Sequence, residues 1–188
     1  MTLTAIEERV RERLANGPVT VAIDGGSASG KTTLAARWEH LFGATVFHMD
    51  DFFLQPSQRT AERLAEIGGN VDRERFAAEV LTPLAERKPV TYRRFDCHTG
   101  SLSHPITVTP VSLVVVEGAY ATHPALGKYY DLSLFLDVDP VLQQRRILAR
   151  NTAEEAARFF TRWIPLENRY FEGTDIRSRC TFAVPITE

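Results

Sequence analysis

The chain has 188 residues, a formal net charge of −2 and 44% hydrophobic residues, which suits one compact domain with a sizeable core. A near-neutral balance disfavours general binding to nucleic acid or to a membrane surface, because both need a basic face. Cys97 and Cys180 lie far apart and match no metal-binding spacing, and no segment has the apolar length of a membrane span or signal peptide. We therefore expect a cytoplasmic protein with reduced thiols.

The first predicted elements are a helix and a strand. Apolar residues recur at helical spacing through residues 3–15 and predict an amphipathic helix, which Asn16-Gly17-Pro18 would end. A β-rich run that begins at Val19 predicts the first strand. Helical spacing returns at Leu34 and continues to Leu41, so a second helix follows.

Between this strand and this helix, Gly25–Thr32 matches G-x-x-x-x-G-K-[ST] at every position. Glycines let successive backbone N–H groups point at one polyphosphate, and the helix that opens at Lys31 directs its positive end to the same place. Lys31 adds a full charge, and the hydroxyl of Thr32 is placed to bind Mg²⁺. The residues predicted to hold ATP are Gly25, Gly26, Ser27, Ala28, Ser29, Gly30, Lys31, Thr32 and Thr33.

The middle of the chain alternates between regular and irregular segments. Residues 44–49 predict a second strand, and the polar, glycine- and proline-interrupted residues 54–72 predict a loop that can contain a short helix. Asp72 has the character of an N-cap for a helix over 73–87. Two β-branched runs around a polar centre predict a hairpin excursion over residues 89–110.

The last third contains three predicted strands. Residues 113–116 form a continuous apolar run, typical of a central parallel strand, and residues 132–136 form another. Asp139-Pro140 starts a helix that continues to Arg150, a second helical stretch covers 152–170, and 181–186 reads as an edge strand. The alternation predicts an α/β fold with a five-stranded, mainly parallel sheet, helices on both faces and ligands at the carboxyl ends of the strands.

Two carboxylates end strands at this predicted ligand edge. Asp50 can accept a proton from a substrate hydroxyl, help to hold a metal through a water, or cap the next segment, and Asp51 is an equal candidate on sequence alone. Glu117 ends the most apolar run and can hold a water of the Mg²⁺ shell.

Basic and polar residues later in the chain allow two interpretations each. Arg146 or Arg150 can stabilise charge on a transferring phosphoryl group, or the pair can be solvated and matched with Glu154 and Glu155. His98 lies in the polar excursion, where it either hydrogen-bonds a substrate or sits on the surface.

The chain resembles the uridine kinase family of P-loop kinases, which is related to phosphoribulokinase and the P-loop pantothenate kinases, over roughly residues 18–186. Besides the phosphate loop, the resemblance is carried by D-D-F-F at 50–53, N-V-D-R-E-R-F at 70–76, P-V-T-Y at 89–92 followed by His98, V-V-V-E-G-A-Y at 114–120 and R-R-I-L-A-R at 145–150. It implies a three-layer P-loop kinase fold, in which residues 1–188 form a single kinase domain with a lid region at about 145–162.

The resemblance also implies a reaction: ATP- and Mg²⁺-dependent phosphorylation of a hydroxyl on a small metabolite, in the first place uridine or cytidine. It assigns Asp50 as the catalytic base with Lys31, Arg146 and Arg150 as further catalytic residues, Thr32 and Glu117 as the metal site, and Phe53, Asp72, Tyr92 and His98 as the residues that bind the acceptor.

Several positions depart from the family pattern. Phe53 replaces a tyrosine, the segment 92–98 is longer and contains Arg93 and Arg94, and Asn151 stands where the family has aspartate. Because residues that would contact the base are altered, a pantothenate-like or sugar-phosphate acceptor stays open, as does a nucleotide-dependent switch. We expect the protein to act on a small molecule and to bind neither nucleic acid nor a membrane. Whether it forms a homo-oligomer, and whether ATP or GTP is the phosphate donor, is left open.

Overall fold

The computed structural model describes residues 2–187, so Met1 and Glu188 lie outside the description. Within it, the strands are β1 (Val19–Gly25), β2 (Thr45–His48), β3 (Val90–Tyr92), β4 (Phe95–Asp96), β5 (Ser101–Leu102), β6 (Ile106–Val108), β7 (Leu113–Glu117), β8 (Leu132–Val138) and β9 (Phe182–Ile186). The α-helices are α1 (Leu3–Leu14), α2 (Lys31–Phe42), α3 (Ala61–Ala65), α4 (Arg73–Phe76), α5 (Thr82–Ala85), α6 (Pro140–Arg150), α7 (Ala153–Arg158), α8 (Ile164–Thr174) and α9 (Ile176–Arg179).

The central sheet has five strands in the order β2-β7-β1-β8-β9, and all of its pairings are parallel. Every residue of β7 is buried, as its continuous apolar run predicts for a strand covered on both faces. In the register of the sheet, Glu117 at the end of β7 lies beside Ile23 on one neighbour and His48 on the other. The predicted five-stranded α/β sheet is therefore confirmed, and its carboxyl edge carries Glu117.

Helices cover both faces of this sheet. On one face, α1 and α2 bury Ile6, Val10 and Trp38 against β1, β7 and β8. On the other face, Phe76 and Tyr170 belong to a second cluster of buried residues that includes side chains of β2 and β7. These two cores, one on each side of the sheet, give the three layers implied by the resemblance.

The hairpin excursion consists of β3 paired with β6 and, farther out, β4 paired with β5, both antiparallel. It matches the prediction for residues 89–110. The predicted helix after Asp72 is also present, and the Asp72 carboxylate caps it by accepting a hydrogen bond of 3.0 Å from the backbone N–H of Arg75.

Two helices contain π-helical segments that the sequence analysis did not anticipate. Ala77–Leu81 joins α4 to α5, and Phe159–Trp163 joins α7 to α8. In each case a proline, Pro83 or Pro165, occupies the first turn of the helix that follows. Proline has no N–H and its ring crowds the preceding turn, so a locally wider helix relieves the conflict.

A buried carboxylate connects α1 to α2. Glu7, on α1, accepts hydrogen bonds from Arg37 Nε at 2.7 Å and from the buried indole Nε1 of Trp38 at 3.2 Å. The hydrogen bond from Arg37 lowers the pKa of the Glu7 carboxyl below its ordinary value of 4.5.

We expect Glu7→Ala to lower the free energy of unfolding by about 1–3 kcal/mol, because the buried indole N–H of Trp38 loses its acceptor. The ion pair with Arg37 adds little to the free energy of unfolding, since the Arg37 side chain is 57% exposed. Folding lowers the pKa of Glu7. Its contribution to the free energy of unfolding is therefore full above pH 4.5 and is lost as the pH falls through the lowered pKa. Urea unfolding at neutral and acidic pH measures both effects.

Glu12→Ala is the matched control, because Glu12 is on the same helix and its single ion pair within residues 2–187 is with the exposed Arg9. Equal unfolding free energies for Glu7→Ala and the wild type would show that this contact does not connect the two helices.

No helix within residues 2–187 combines the length and the apolar character required to cross a membrane.

Candidate active site

The phosphate loop connects β1 to α2 in a conformation that its glycines permit. Gly25 has φ +143°, and a Cβ there would lie 2.5 Å from the carbonyl oxygen of Leu136. Gly30, the N-cap of α2, has φ +99°. Ala28 also has a positive φ of 60°, which is uncommon for a residue with a side chain and marks local backbone strain.

Lys31 and Thr32 open α2 at the centre of this loop. Lys31 is buried, and its Nζ donates to the carbonyl oxygens of Gly25 and Gly26, at 2.9 Å each. The hydroxyl of Thr32 donates to Glu117 Oε1 at 3.2 Å. The structure thus joins the loop to the end of β7, as the candidate metal site requires.

His48 is a neighbour of this site that the sequence analysis did not include. Its Nδ1 lies 2.6 Å from Glu117 Oε1. The hydrogen bond to Glu117 raises the pKa of His48, while partial burial opposes that rise. The raised pKa means that His48 holds a proton to higher pH than a free imidazole does, so a positive charge can lie beside the candidate metal ligand Glu117.

Asp50 follows β2 in a 3₁₀ turn, Met49–Phe52, and its carboxylate is exposed to the cleft above the loop. The surrounding cleft walls nonetheless desolvate the carboxylate and raise its pKa; Lys31 opposes this, and Glu117 adds to it. Asp51 differs, since Arg94 Nε lies 3.3 Å from its carboxylate. Of the two aspartates, Asp50 is the one that lines the cleft.

The cleft has a volume of about 770 Å³ and brings the four predicted catalytic residues together. Its lining includes the loop from Ser27 to Thr33, Asp50, Glu117, Arg146, Arg150 and Glu167. Arg146 donates to the carbonyl oxygen of Ala28 at 3.1 Å, and the Arg150 guanidinium lies 5.7 Å from the ring centre of Phe159. Arg146 and Arg150 therefore both lie on the side of the molecule that carries the phosphate loop.

A second cavity of about 580 Å³ lies next to this cleft. Phe53, three residues after Asp50, lines it together with Trp163, and the two ring centres are 6.1 Å apart. The π-helical segment Phe159–Trp163 borders the cleft at Phe159 and the second cavity at Trp163. The two spaces thus share a wall.

The four predicted acceptor residues are not grouped around this cavity. Phe53 alone among them lines it in the described structure. Asp72 is buried and receives a hydrogen bond of 2.7 Å from Gln58 in addition to its capping bond. Tyr92 is 3% exposed and stacks on Phe52 in the core. His98 is exposed in the turn between β4 and β5.

Two buried acids near the loop were missed by the sequence analysis. Asp24 is fully buried at the end of β1 and accepts from the N–H of Thr122 at 2.9 Å and from the hydroxyl of Tyr170 at 2.9 Å. Burial raises the pKa of Asp24, and the hydrogen bonds from Thr122 oppose this. Glu167, on α8, contacts the loop residue Ser27. In each case the sequence offered only a single acid as a signal. Asp24 stands at the end of an apolar strand, and Glu167 lies in a helical stretch of which only the aromatic residues were considered.

Comparison with known proteins gives consistent results. The model of the phosphoribulokinase / uridine kinase family matches residues 20–157. A uridine kinase of Geobacillus kaustophilus is 25% identical over 173 residues, which cover 84% of this chain and 82% of the relative. A uridine kinase of Bacillus thuringiensis is 28% identical over 148 residues, covering 74% and 69%.

Solved structures share the fold. A protein from Bacillus stearothermophilus, described as a possible uridine kinase, superposes with a TM-score of 0.67 at 20% identity and covers 96% of this chain and 99% of that one. A D-glycerate 3-kinase from Cryptococcus neoformans gives 0.59 at 16% identity, covering 87% and 86%. With a family model that matches well over half of its residues, the chain belongs to the phosphoribulokinase / uridine kinase family, and it is a P-loop small-molecule kinase.

Proposed function

We propose that this kinase transfers the γ-phosphoryl group of ATP to a hydroxyl of a small metabolite, with the 5′-hydroxyl of uridine or cytidine as the first candidate acceptor. The observation that carries the proposal is one cleft that contains the phosphate loop, Lys31, Glu117 and the open carboxylate of Asp50. The relatives named uridine kinases support a nucleoside. In this proposal residues 1–188 act as one cytoplasmic kinase domain.

The loop binds the phosphates in the proposed mechanism. Its N–H groups and the start of α2 bind the β- and γ-phosphates, and Lys31 neutralises the charge that develops during transfer. The Thr32 hydroxyl and Glu117 carboxylate supply the hard oxygen ligands that Mg²⁺ prefers, and they lie 3.2 Å apart, so the residues present fit this ion. When bound with ATP, Mg²⁺ would neutralise charge on the phosphate oxygens.

Asp50 acts as the general base in this proposal. It accepts the proton of the attacking hydroxyl, and its raised pKa makes it a better proton acceptor than an ordinary aspartate. Arg146 and Arg150 stabilise the transferring group, and the lid region excludes water from it. The acceptor lies in the second cavity against Phe53, which alone of the four predicted acceptor residues lines it in the described structure.

A second class of acceptor is favoured by the charges of the second cavity. Arg59, Arg162 and Arg169 line it, and none of them has a carboxylate within ion-pair distance in the described part of the chain. The one acid in the lining, Glu66, is paired with Arg73 at 2.5 Å. Arginines suit carboxylates and phosphates, so a pantothenate-like or sugar-phosphate acceptor is the alternative.

Acceptor-stimulated ADP release tests the proposal and separates the two classes. The panel contains uridine and cytidine beside matched neutral and anionic pairs, namely glycerol with glycerate and ribose with ribose 5-phosphate, each with ATP or GTP. Stimulation by one acceptor with a phosphorylated product by mass spectrometry supports a kinase and identifies its class. Hydrolysis that no acceptor stimulates, but that a protein partner does, would favour the regulatory switch instead.

A further inference from the structure

Glu167 occupies an unusual position for an acid, because its carboxylate contacts the loop that is expected to bind phosphates. The side chain lies on α8 and is 6% exposed. Its Oε2 accepts from the backbone N–H of Ser27 at 2.8 Å, and its Oε1 accepts from the hydroxyl of Ser27 at 2.6 Å. Because both oxygens accept, the arrangement calls for the ionised carboxylate, and the hydrogen bonds are charge-assisted.

Ser27 and Ala28 are held by two further side chains, both from α6. Gln143 Nε2 donates to the carbonyl oxygen of Ser27 at 2.8 Å, and Arg146 Nη1 donates to that of Ala28 at 3.1 Å. A Cβ on the preceding Gly26 would lie 2.8 Å from Gln143 Nε2, so a side chain there would displace this amide from the loop. The first half of the loop is therefore fixed by side chains of α6 and α8.

These contacts tie the loop to the lid region. Helix α6 enters the region 145–162, and α8 continues directly from its last segment, Phe159–Trp163. The hydrogen bonds of Ser27 to Glu167 therefore connect the conformation of the loop to the helices that border both cavities. A loop held in one conformation presents its remaining N–H groups to phosphate without an ordering cost at the moment of binding.

We propose that Glu167 is a positioning residue for nucleotide binding. It holds Ser27, and with it the first residues of the phosphate loop, against α8. The proposal rests on the proposed function, because it assumes that this loop binds ATP. Burial raises the pKa of Glu167, and Ser27 and Lys31 oppose that rise while Asp24 adds to it. Lys31 thus helps to keep the carboxylate ionised.

Calorimetric titration with a non-hydrolysable ATP analogue and Mg²⁺ tests this role without any acceptor. Glu167→Ala is expected to weaken binding about 10- to 100-fold, since a loop N–H and hydroxyl lose a charged acceptor. Glu167→Gln is expected to recover at least half of this loss on a logarithmic scale, because an amide can accept from the N–H and donate to the hydroxyl. Glu172→Ala, an exposed acid on the same helix, is the control and binds like the wild type.

A double-mutant cycle with Ser27→Ala adds a second criterion. The two losses are expected to be non-additive, because both variants remove the same hydroxyl contact. If Glu167→Ala does not fold, Ser27→Ala alone carries the test and is expected to weaken binding about 3-fold or more.

Three results would each overturn the positioning role. They are wild-type affinity in a folded Glu167→Ala protein, additive losses in the double-mutant cycle, and a glutamine variant that binds as weakly as the alanine variant. Failure of the proposed function is a separate result: the wild type would bind the analogue, yet no acceptor would stimulate ADP release.

Discussion

Replacing Asp50 by asparagine is expected to lower phosphorylation of the acceptor by about 10²- to 10⁴-fold, the range attributed to a positioned general base. Asparagine keeps the shape of the side chain but cannot accept the proton of the attacking hydroxyl. Binding of Mg²⁺-ATP should change little, because in the proposed mechanism the phosphates are bound by the loop N–H groups and Lys31 and not by Asp50. Single-turnover transfer and calorimetric ATP affinity, measured on the same preparation, separate the two effects.

Asp51→Asn is the matched control for this prediction. It makes the same chemical change one residue away, on a carboxylate that pairs with Arg94 and does not line the cleft. Transfer should fall far less than in Asp50→Asn. A folded Asp50→Asn protein with turnover near that of the wild type would remove Asp50 as the base, and a larger loss in the control would move the role to Asp51.

Replacing Lys31 by alanine is expected to reduce kcat by about 10²-fold or more, by analogy with the loss of one preorganised donor that stabilises developing negative charge. The charge of Lys31 is more effective in its buried position than on the surface, because few waters screen it. The same variant removes the donor that binds the carbonyl oxygens of Gly25 and Gly26, so the conformation of the loop is expected to change as well. Steady-state kinetics with saturating acceptor measure the effect.

Lys128→Ala, on an exposed part of the chain, controls for a general loss of positive charge. Thermal unfolding of both variants shows whether the fold persists. An unchanged kcat in a folded Lys31→Ala protein would contradict the assignment of Gly25–Thr33 as the phosphate loop.

Much of the fold was predictable because its signals are local. The apolar run of β7 and the glycine and lysine spacing of Gly25–Thr32 are recognisable within a few consecutive residues, without knowledge of distant segments. Asp72 as an N-cap is predictable for the same reason. The alternation of Val90-Thr91-Tyr92 between buried and exposed positions would also have indicated Tyr92 as a core residue.

The missed parts of the site depend on contacts between distant segments. Ser27 and Glu167 are 140 residues apart, and Asp24 and Tyr170 are 146 apart. No periodicity or spacing in either segment specifies such a pair. His48 meets Glu117 only because the register of β2 on β7 places them side by side. The sequence thus gives candidate residues for the chemistry, while tertiary packing decides which buried acids lie beside them.

The positions of the two tryptophans give the protein a pair of natural optical probes. Trp38 is completely buried between α1, α2 and the sheet, whereas Trp163 is partly exposed on the wall of the second cavity. Emission from Trp38 should therefore be blue-shifted and insensitive to quenchers added to the solution. Emission from Trp163 should respond to any molecule that enters the space beside Phe53, so occupancy of that space can be followed without a label.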